Sequence, residues 1–203
     1  MKIGVISYGA GNIGSVVNMI KKAGGEADII TEPSCLNNAE KLIFPGVGSF
    51  DHAMNLLIKN NWIEALNEAV LNKQIPILGI CLGMQLMCKK SEEGVLDGLG
   101  WIEAEVKKFP DPVEDEKVPH MGWNSVDVVA ANPLIEPGKN RFYFVHSYQV
   151  VLQNEDNAVG KTTHINRFTC AFQKNHMFGA QFHPEKSHKF GLSLIKNFIN
   201  YKV

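Results

Sequence analysis

With 203 residues, the chain suits one domain spanning 1–203 and has little room for a second catalytic domain. Apolar residues make up 45%, charged residues 20% and the formal net charge is -1, so neither nucleic acid nor an anionic membrane is indicated as a partner. No window approaches the roughly 20 apolar residues that span a bilayer, and the chain opens without a signal-peptide pattern, so a cytoplasmic location is expected.

The first half alternates β-rich runs with amphipathic stretches. Strands are expected at Lys2–Ser7, Ala27–Thr31, Lys41–Phe44 and Ile75–Ile80. Between them, helices are expected over Asn12–Ala23, where Ile13, Val16, Val17 and Ile20 share a face, and over Asp51–Ile58 and Ile63–Leu71, with another starting near Leu82. Strands alternating with helices predict a parallel sheet covered on both faces. In the second half, Trp101–Phe109, Ser125–Val129, Arg141–Tyr148, Thr162–Gln173 and Phe178–Phe182 read as strands joined by short turns, antiparallel additions to that sheet. Pro110–Lys117 is the most loop-like stretch, and a last helix is expected over Lys189–Tyr201. The fold class is therefore α/β.

Four cysteines, Cys35, Cys81, Cys88 and Cys170, show no paired spacing, which argues against a zinc knuckle or a disulfide framework. By default each is a small buried hydrophobe, and a special role has to come from its neighbours. Only Cys81 has such neighbours. In Gly79-Ile80-Cys81-Leu82-Gly83 an apolar strand runs into Gly-x-Cys-x-Gly and an apolar helix follows, a nucleophile elbow with Cys in place of Ser. A side chain at either glycine would crowd the turn. The amide of Leu82 is left free to stabilise an oxyanion. The alternative is a buried cysteine on a sheet-to-helix turn.

A cysteine nucleophile needs a base, and Gln181-Phe182-His183-Pro184-Glu185 supplies one after a strand. In extended chain His183 and Glu185 point to the same side, so Glu185 can orient the imidazole and stabilise its charge. A lone His-x-Glu is more often a surface pair; the elbow is what gives this one weight. Pro45-Gly46-Val47-Gly48-Ser49 also follows a strand, and its glycines allow backbone N–H groups to approach a ligand, although an ordinary strand-to-helix turn fits equally well. A rival signal is Gly9-Ala10-Gly11-Asn12-Ile13-Gly14, which matches the dinucleotide fingerprint after the first strand, with Glu32 after the second where a ribose-binding acid belongs. A dinucleotide-binding protein would need a separate substrate domain and would leave the cysteine elbow and His-x-Glu unused. A non-catalytic binding protein would leave the same motifs unused.

With these residues in view, the chain resembles the class I glutamine amidotransferases, and within them the glutaminase subunits of imidazole glycerol phosphate synthases. The likeness runs over essentially the whole chain: Tyr8-Gly9-Ala10-Gly11-Asn12, Pro45-Gly46-Val47-Gly48, Gly79 through Gln85, Ser91-Glu92-Glu93-Gly94, Pro119 through Asn124, Tyr143 through Tyr148, and Gln181 through Ser187. The resemblance implies a flavodoxin-like three-layer sandwich with a mostly parallel central sheet. It implies that Cys81, His183 and Glu185 form the catalytic triad, and that Leu82 with Gly46, Val47 and Gly48 forms the oxyanion hole. Gln85, His146, Ser147 and Tyr148 would hold L-glutamine. No metal or other cofactor is implied, and in this family a glycine-rich turn like Gly9–Gly14 binds no dinucleotide. The implied partner is a (β/α)8-barrel cyclase or synthase subunit, joined as a heterodimer near Pro119–Asn124 and Tyr143–Tyr148, which receives the ammonia. Position 7 is Ser where much of the family has Asp. The 98–101, Arg141–Tyr143 and Ser187–Gly191 segments look especially like a paralogous branch that supplies ammonia for amidating sugars of surface polysaccharides. Both acceptors stay open at this point, the histidine-biosynthetic one first.

Overall fold

The computed structural model describes residues 2–111 and 117–202. Among them are twelve strands: β1 Lys2–Ile6, β2 Glu26–Ile30, β3 Lys41–Gly46, β4 Ile77–Cys81, β5 Lys90–Ser91, β6 Ala104–Lys108, β7 His120–Val128, β8 Asn140–His146, β9 Tyr148–Leu152, β10 Ala158–His164, β11 Asn166–Lys174 and β12 Met177–Ala180. The α-helices are α1 Ile13–Lys22, α2 Phe50–Lys59, α3 Trp62–Asn67, α4 Leu82–Leu86 and α5 His188–Asn200. The strands follow the order β2-β1-β3-β4-β12-β11-β10-β7-β8, with β9 leaving β11 to pair β6, which in turn pairs β5. Pairing is parallel from β2 to β12 and antiparallel from β12 to β8.

The side-chain alternation of the central strands explains the layers. Leu42, Phe44 and Ile77 face one side, where Phe50, Met54 and Leu57 of α2 and Trp62 and Leu66 of α3 cover them. Ile43, Leu78 and Ile80 face the other, against Val16 and Ile20 of α1 and Leu194 and Phe198 of α5. Every residue of β3 and β4 is buried, as a strand with helices on both faces requires. Each large apolar side chain so enclosed contributes about 1.5–3 kcal/mol by leaving water. The architecture is the three-layer α/β sandwich expected, with its antiparallel additions.

Two polar anchors fix the ends of helices, one in the scaffold and one beside the site. Lys41, a residue only 4% exposed, donates its ammonium hydrogens to the carbonyls of Phe198 (2.8 Å), Ile199 (2.6 Å) and Tyr201, satisfying the free carbonyl end of α5. At α2, no side chain of the preceding turn caps the helix; instead Glu93 Oε2 accepts from the Phe50 N–H at 2.8 Å. Asp51 accepts from the amides of Val95 and Leu96 at 3.0–3.1 Å, so the 93–96 loop is fastened to the start of α2. That start directly follows the Gly46–Gly48 turn.

Several predicted elements differ from those found. Thr162–Gln173 is not one strand but the greater part of a hairpin, β10 and β11, turning at Ile165 with φ 60°. Arg141–Tyr148 is divided at Ser147, because β8 pairs β7 while β9 leaves to pair β6 and β11. The strand expected at Ser125 begins five residues earlier, at His120, where it pairs His146. The helix expected over Ile63–Leu71 is α-helical to Asn67 and widens into a π turn over Glu68–Asn72. Of the predicted Pro110–Lys117 loop, 112–116 lie outside the described residues. No helix among the described residues is long and apolar enough to cross a membrane.

Candidate active site

Cys81 ends β4, between the carboxyl ends of β3 and β12, and immediately precedes α4. Its backbone has φ 53° and ψ −111°, a conformation that L residues rarely adopt and that stores about 1–3 kcal/mol of strain. The flanking glycines are there for close approach. A Cβ on Gly83 would stand 1.8 Å from the Phe44 carbonyl oxygen, and one on Gly79 would stand 2.7 Å from Met87 Sδ and 2.8 Å from the Met84 amide. Sheet and helix therefore meet closely enough to hold the turn sharp, and the cysteine side chain is pushed up into a cavity.

That cavity, of about 360 Å³, is lined by Val47, Gly48, Cys81, Leu82, Gln85, His146, Ser147, Tyr148 and His183, all expected site residues. Two expected residues stand just behind its wall. Gly46 pairs with Cys81 across β3 and β4. Glu185 lies behind His183, with Oε1 2.8 Å from His183 Nδ1; the two side chains are 2% and 3% exposed. The chain is not extended here as expected: Pro184–Lys186 form a 3-10 turn, and it is this turn that brings His183 and Glu185 together. The turn is braced by the Ser187 hydroxyl, which donates to the His183 carbonyl at 2.6 Å and accepts from the Tyr143 amide at 3.0 Å.

Since Glu185 accepts at Nδ1, the other ring nitrogen of His183, buried and without a hydrogen bond of its own, is left for chemistry. Burial by itself lowers the His183 pKa, but the sulfur of Cys81 and the carboxylate of Glu185 outweigh it and raise the pKa to about 9. A second histidine in the wall is differently placed. His146 Nδ1 is bonded to the Tyr148 carbonyl at 2.7 Å and Nε2 to His120 Nδ1 at 3.0 Å, so both nitrogens are occupied. Burial, above all, lowers its pKa to about 3, and it is a neutral bracing group.

The cavity also has members that the sequence reading did not single out as site residues. Glu93 is a carboxylate in the lining, with Pro119, Val145 and Lys186 beside it. The Ser91-Glu92-Glu93-Gly94 motif pointed to the segment, but nothing in it separates Glu93 from Glu92. Behind the lining, Gln181, fully buried, donates to Cys81 Sγ at 3.7 Å and accepts from Gln85 Nε2 at 2.9 Å, tying the cysteine to the cavity wall. Of the other cysteines, Cys88 and Cys170 are fully buried, with burial pushing both thiols far up, and Cys35 is exposed at a distance in sequence from every lining residue. The Gly9–Gly14 turn has a packing reason of its own: a Cβ on Gly11 would stand 3.3 Å from Pro45.

A cysteine on a strand-to-helix elbow, sharing a cavity with a carboxylate-backed histidine, is the arrangement that thiol-dependent acyl transfer requires. The sequence matches the family model described as glutamine amidotransferase class-I over residues 5–201, and the chain belongs to that family. It is 48% identical over 199 residues to imidazole glycerol phosphate synthase subunit HisH 2 of Methanococcus maripaludis, covering 97% of this chain and 98% of that one. A protein of the same name from Pseudomonas aeruginosa is 45% identical over 197 residues, covering 96% and 97%. Among solved structures, PurLQS from Thermotoga maritima is similar in fold, with a TM-score of 0.75 at 16% identity over 98% of each chain.

Proposed function

We propose that the chain is the glutaminase subunit of an imidazole glycerol phosphate synthase in histidine biosynthesis, hydrolysing L-glutamine to glutamate and ammonia and passing the ammonia to a (β/α)8-barrel synthase subunit. The observation that carries this reading is the shared cavity of Cys81 and His183, with Glu185 holding the imidazole at 2.8 Å. The relatives' names supply the pathway.

In this reading Cys81 attacks the side-chain amide carbon of glutamine as a thiolate, with His183 as imidazolium beside it. The Leu82 amide and the Gly46–Gly48 turn receive the charge that develops on the amide oxygen. His183 then gives its proton to the departing ammonia, and a γ-glutamyl thioester remains on Cys81. Water that loses a proton to His183 cleaves the thioester, releasing glutamate and restoring the thiolate–imidazolium pair. Glu185 keeps Nδ1 protonated and stabilises the cation throughout. Gln85 and the His146–Tyr148 backbone hold the substrate, and Glu93 answers its α-ammonium group. No step calls on a metal or other cofactor.

The mouth of the cavity supports the docking side of the proposal. Met121 (62% exposed), Trp123 (39%) and Val47 (44%) are large apolar side chains left in water near it. Trp123 stacks on His188 at 5.5 Å and meets Tyr143 edge-on at 6.3 Å, so this surface is preformed. The test is ammonia release from glutamine by the chain mixed with its genomic barrel partner, wild type against Cys81→Ala, with and without the histidine-pathway ribonucleotide. Release that needs Cys81 and rises with the nucleotide is expected. Release that needs Cys81 but ignores the nucleotide would move the acceptor elsewhere, surface-polysaccharide sugars included. Release that does not need Cys81 would overturn the reading.

A further inference from the structure

Tyr8 opens the glycine-rich turn that the chemistry above leaves unused. The residue is 2% exposed and its hydroxyl has no hydrogen-bond partner among the described residues. Its ring lies 5.4 Å from that of Phe44 at a tilt of 56°, which accounts for the ring but not for the oxygen. The hydroxyl reaches the end of β3: a Cβ on Gly46 would stand 2.9 Å from it. A side chain there would also stand 2.7 Å from the Gly83 amide, so Gly46, Tyr8 and the elbow meet at one point. Burial first, and then the nearby charge of Cys81, disfavour the phenolate, so the group at this point is a neutral O–H donor.

The hydroxyl is behind the turn rather than in the cavity, since Val47 and Gly48 line the cavity and Tyr8 does not. A trans peptide carries its N–H and C=O on opposite sides. A peptide of this turn that aims its N–H into the cavity therefore aims its C=O back, toward the tyrosine. We propose that Tyr8 is a positioning residue for the oxyanion turn: its O–H donates to a carbonyl oxygen of the Gly46–Gly48 segment when that segment presents an N–H to the tetrahedral intermediate. A buried hydroxyl without a partner is unfavourable, and the bond relieves this only in the conformation that stabilises the intermediate. The tyrosine thus favours the transition state over the resting complex. The inference rests on the reading of Cys81 as the glutaminase nucleophile.

Tyr8→Phe removes the oxygen and keeps the ring against Phe44. In the full chain with its barrel partner, kcat for glutamine hydrolysis should fall about tenfold, the effect of one neutral hydrogen bond made only in the transition state, with KM unchanged. Alkylation of Cys81 by iodoacetamide forms no oxyanion, so its rate should stay at the wild-type value. Tm should be unchanged or higher, because a buried unmatched hydroxyl is gone. Wild-type kcat in Tyr8→Phe would overturn the inference. So would an alkylation rate that falls with kcat, which would put the hydroxyl's effect on the sulfur, or a lowered Tm with normal kcat, which would make it structural. If the wild-type complex itself hydrolysed no glutamine, the glutaminase reading would fail, whereas an active wild type with an equally active Tyr8→Phe removes this inference alone.

Discussion

Glu185→Gln tests the charge logic of the site with little change of shape. His183 and Glu185 are 3% and 2% exposed and 2.8 Å apart, so their contact is a buried, charge-assisted hydrogen bond. Such a bond is worth about 1.5–3 kcal/mol. With 1.36 kcal/mol to each pKa unit, the imidazolium loses one to two units of support, and its pKa drops from about 9 to between about 7 and 8. Expressed as a barrier, the same loss is roughly a 10- to 150-fold fall in kcat, because the imidazolium must form during the reaction. The assay is kcat/KM for glutamine hydrolysis by the complex across pH. In the wild type the rate should decline above about pH 9, as His183 loses the proton that the departing ammonia needs. In Glu185→Gln that decline should begin between about pH 7 and 8. The sign for stability follows from the same shift. A histidine raised above its unfolded value stabilises the fold below pH 6.5 and loses that contribution as pH rises to about 9, so wild-type stability should fall across this window and fall less in the variant. A variant whose high-pH limb and kcat both match the wild type would refute the assignment of Glu185 as the partner of the imidazolium.

Other substitutions separate substrate binding, the elbow and the scaffold. Glu93→Gln keeps an oxygen to cap α2 but removes the charge proposed to face the substrate's ammonium group; KM for glutamine should rise about tenfold with kcat little changed, as steady-state kinetics would show. Gly83→Ala would put a methyl group 1.8 Å from the Phe44 carbonyl; chemical denaturation should show a loss of about 1–3 kcal/mol or more, with the glutaminase lost as the elbow shifts. Cys88→Ala should retain activity, because that thiol is enclosed in the core with no contact to the cavity; a folded but inactive variant would contradict this. Lys41→Met removes the donor to three carbonyls at the end of α5, so denaturation should show about 1.5–3 kcal/mol less stability, with kcat unchanged in the folded fraction.

The meeting of Cys81, His183 and Glu185 was legible because each belongs to a short motif whose geometry depends on local spacing. Gly79 through Gly83 specifies the elbow by itself, and His183 and Glu185 are two residues apart. The continuous apolar runs at Leu42–Phe44 and Ile77–Ile80 likewise announced central strands buried on both faces. What could not be read depends on partners distant in sequence. Ser147 divides two strands because β8 and β9 pair with different neighbours, yet Phe144, His146 and Tyr148 alternate without a break. The β10–β11 hairpin turns at Ile165 in a positive-φ conformation, where glycine or asparagine would have announced it. Glu93 enters the cavity because its carboxylate is drawn to the Phe50 amide 43 positions away, a contact that no periodicity in Ser91–Gly94 encodes. Tyr8 has the same origin: its hydroxyl meets Gly46 only because β1 and β3 are neighbours.

The most direct measurement is to acid-quench the complex during turnover of glutamine and map covalent adducts by peptide mass spectrometry. A single γ-glutamyl thioester on the peptide containing Cys81, absent from Cys81→Ala and persisting longer in Glu185→Gln, is the predicted result. Steady ammonia release with no acyl group on Cys81 under any quench, or an adduct on Cys35, Cys88 or Cys170 instead, would contradict the account.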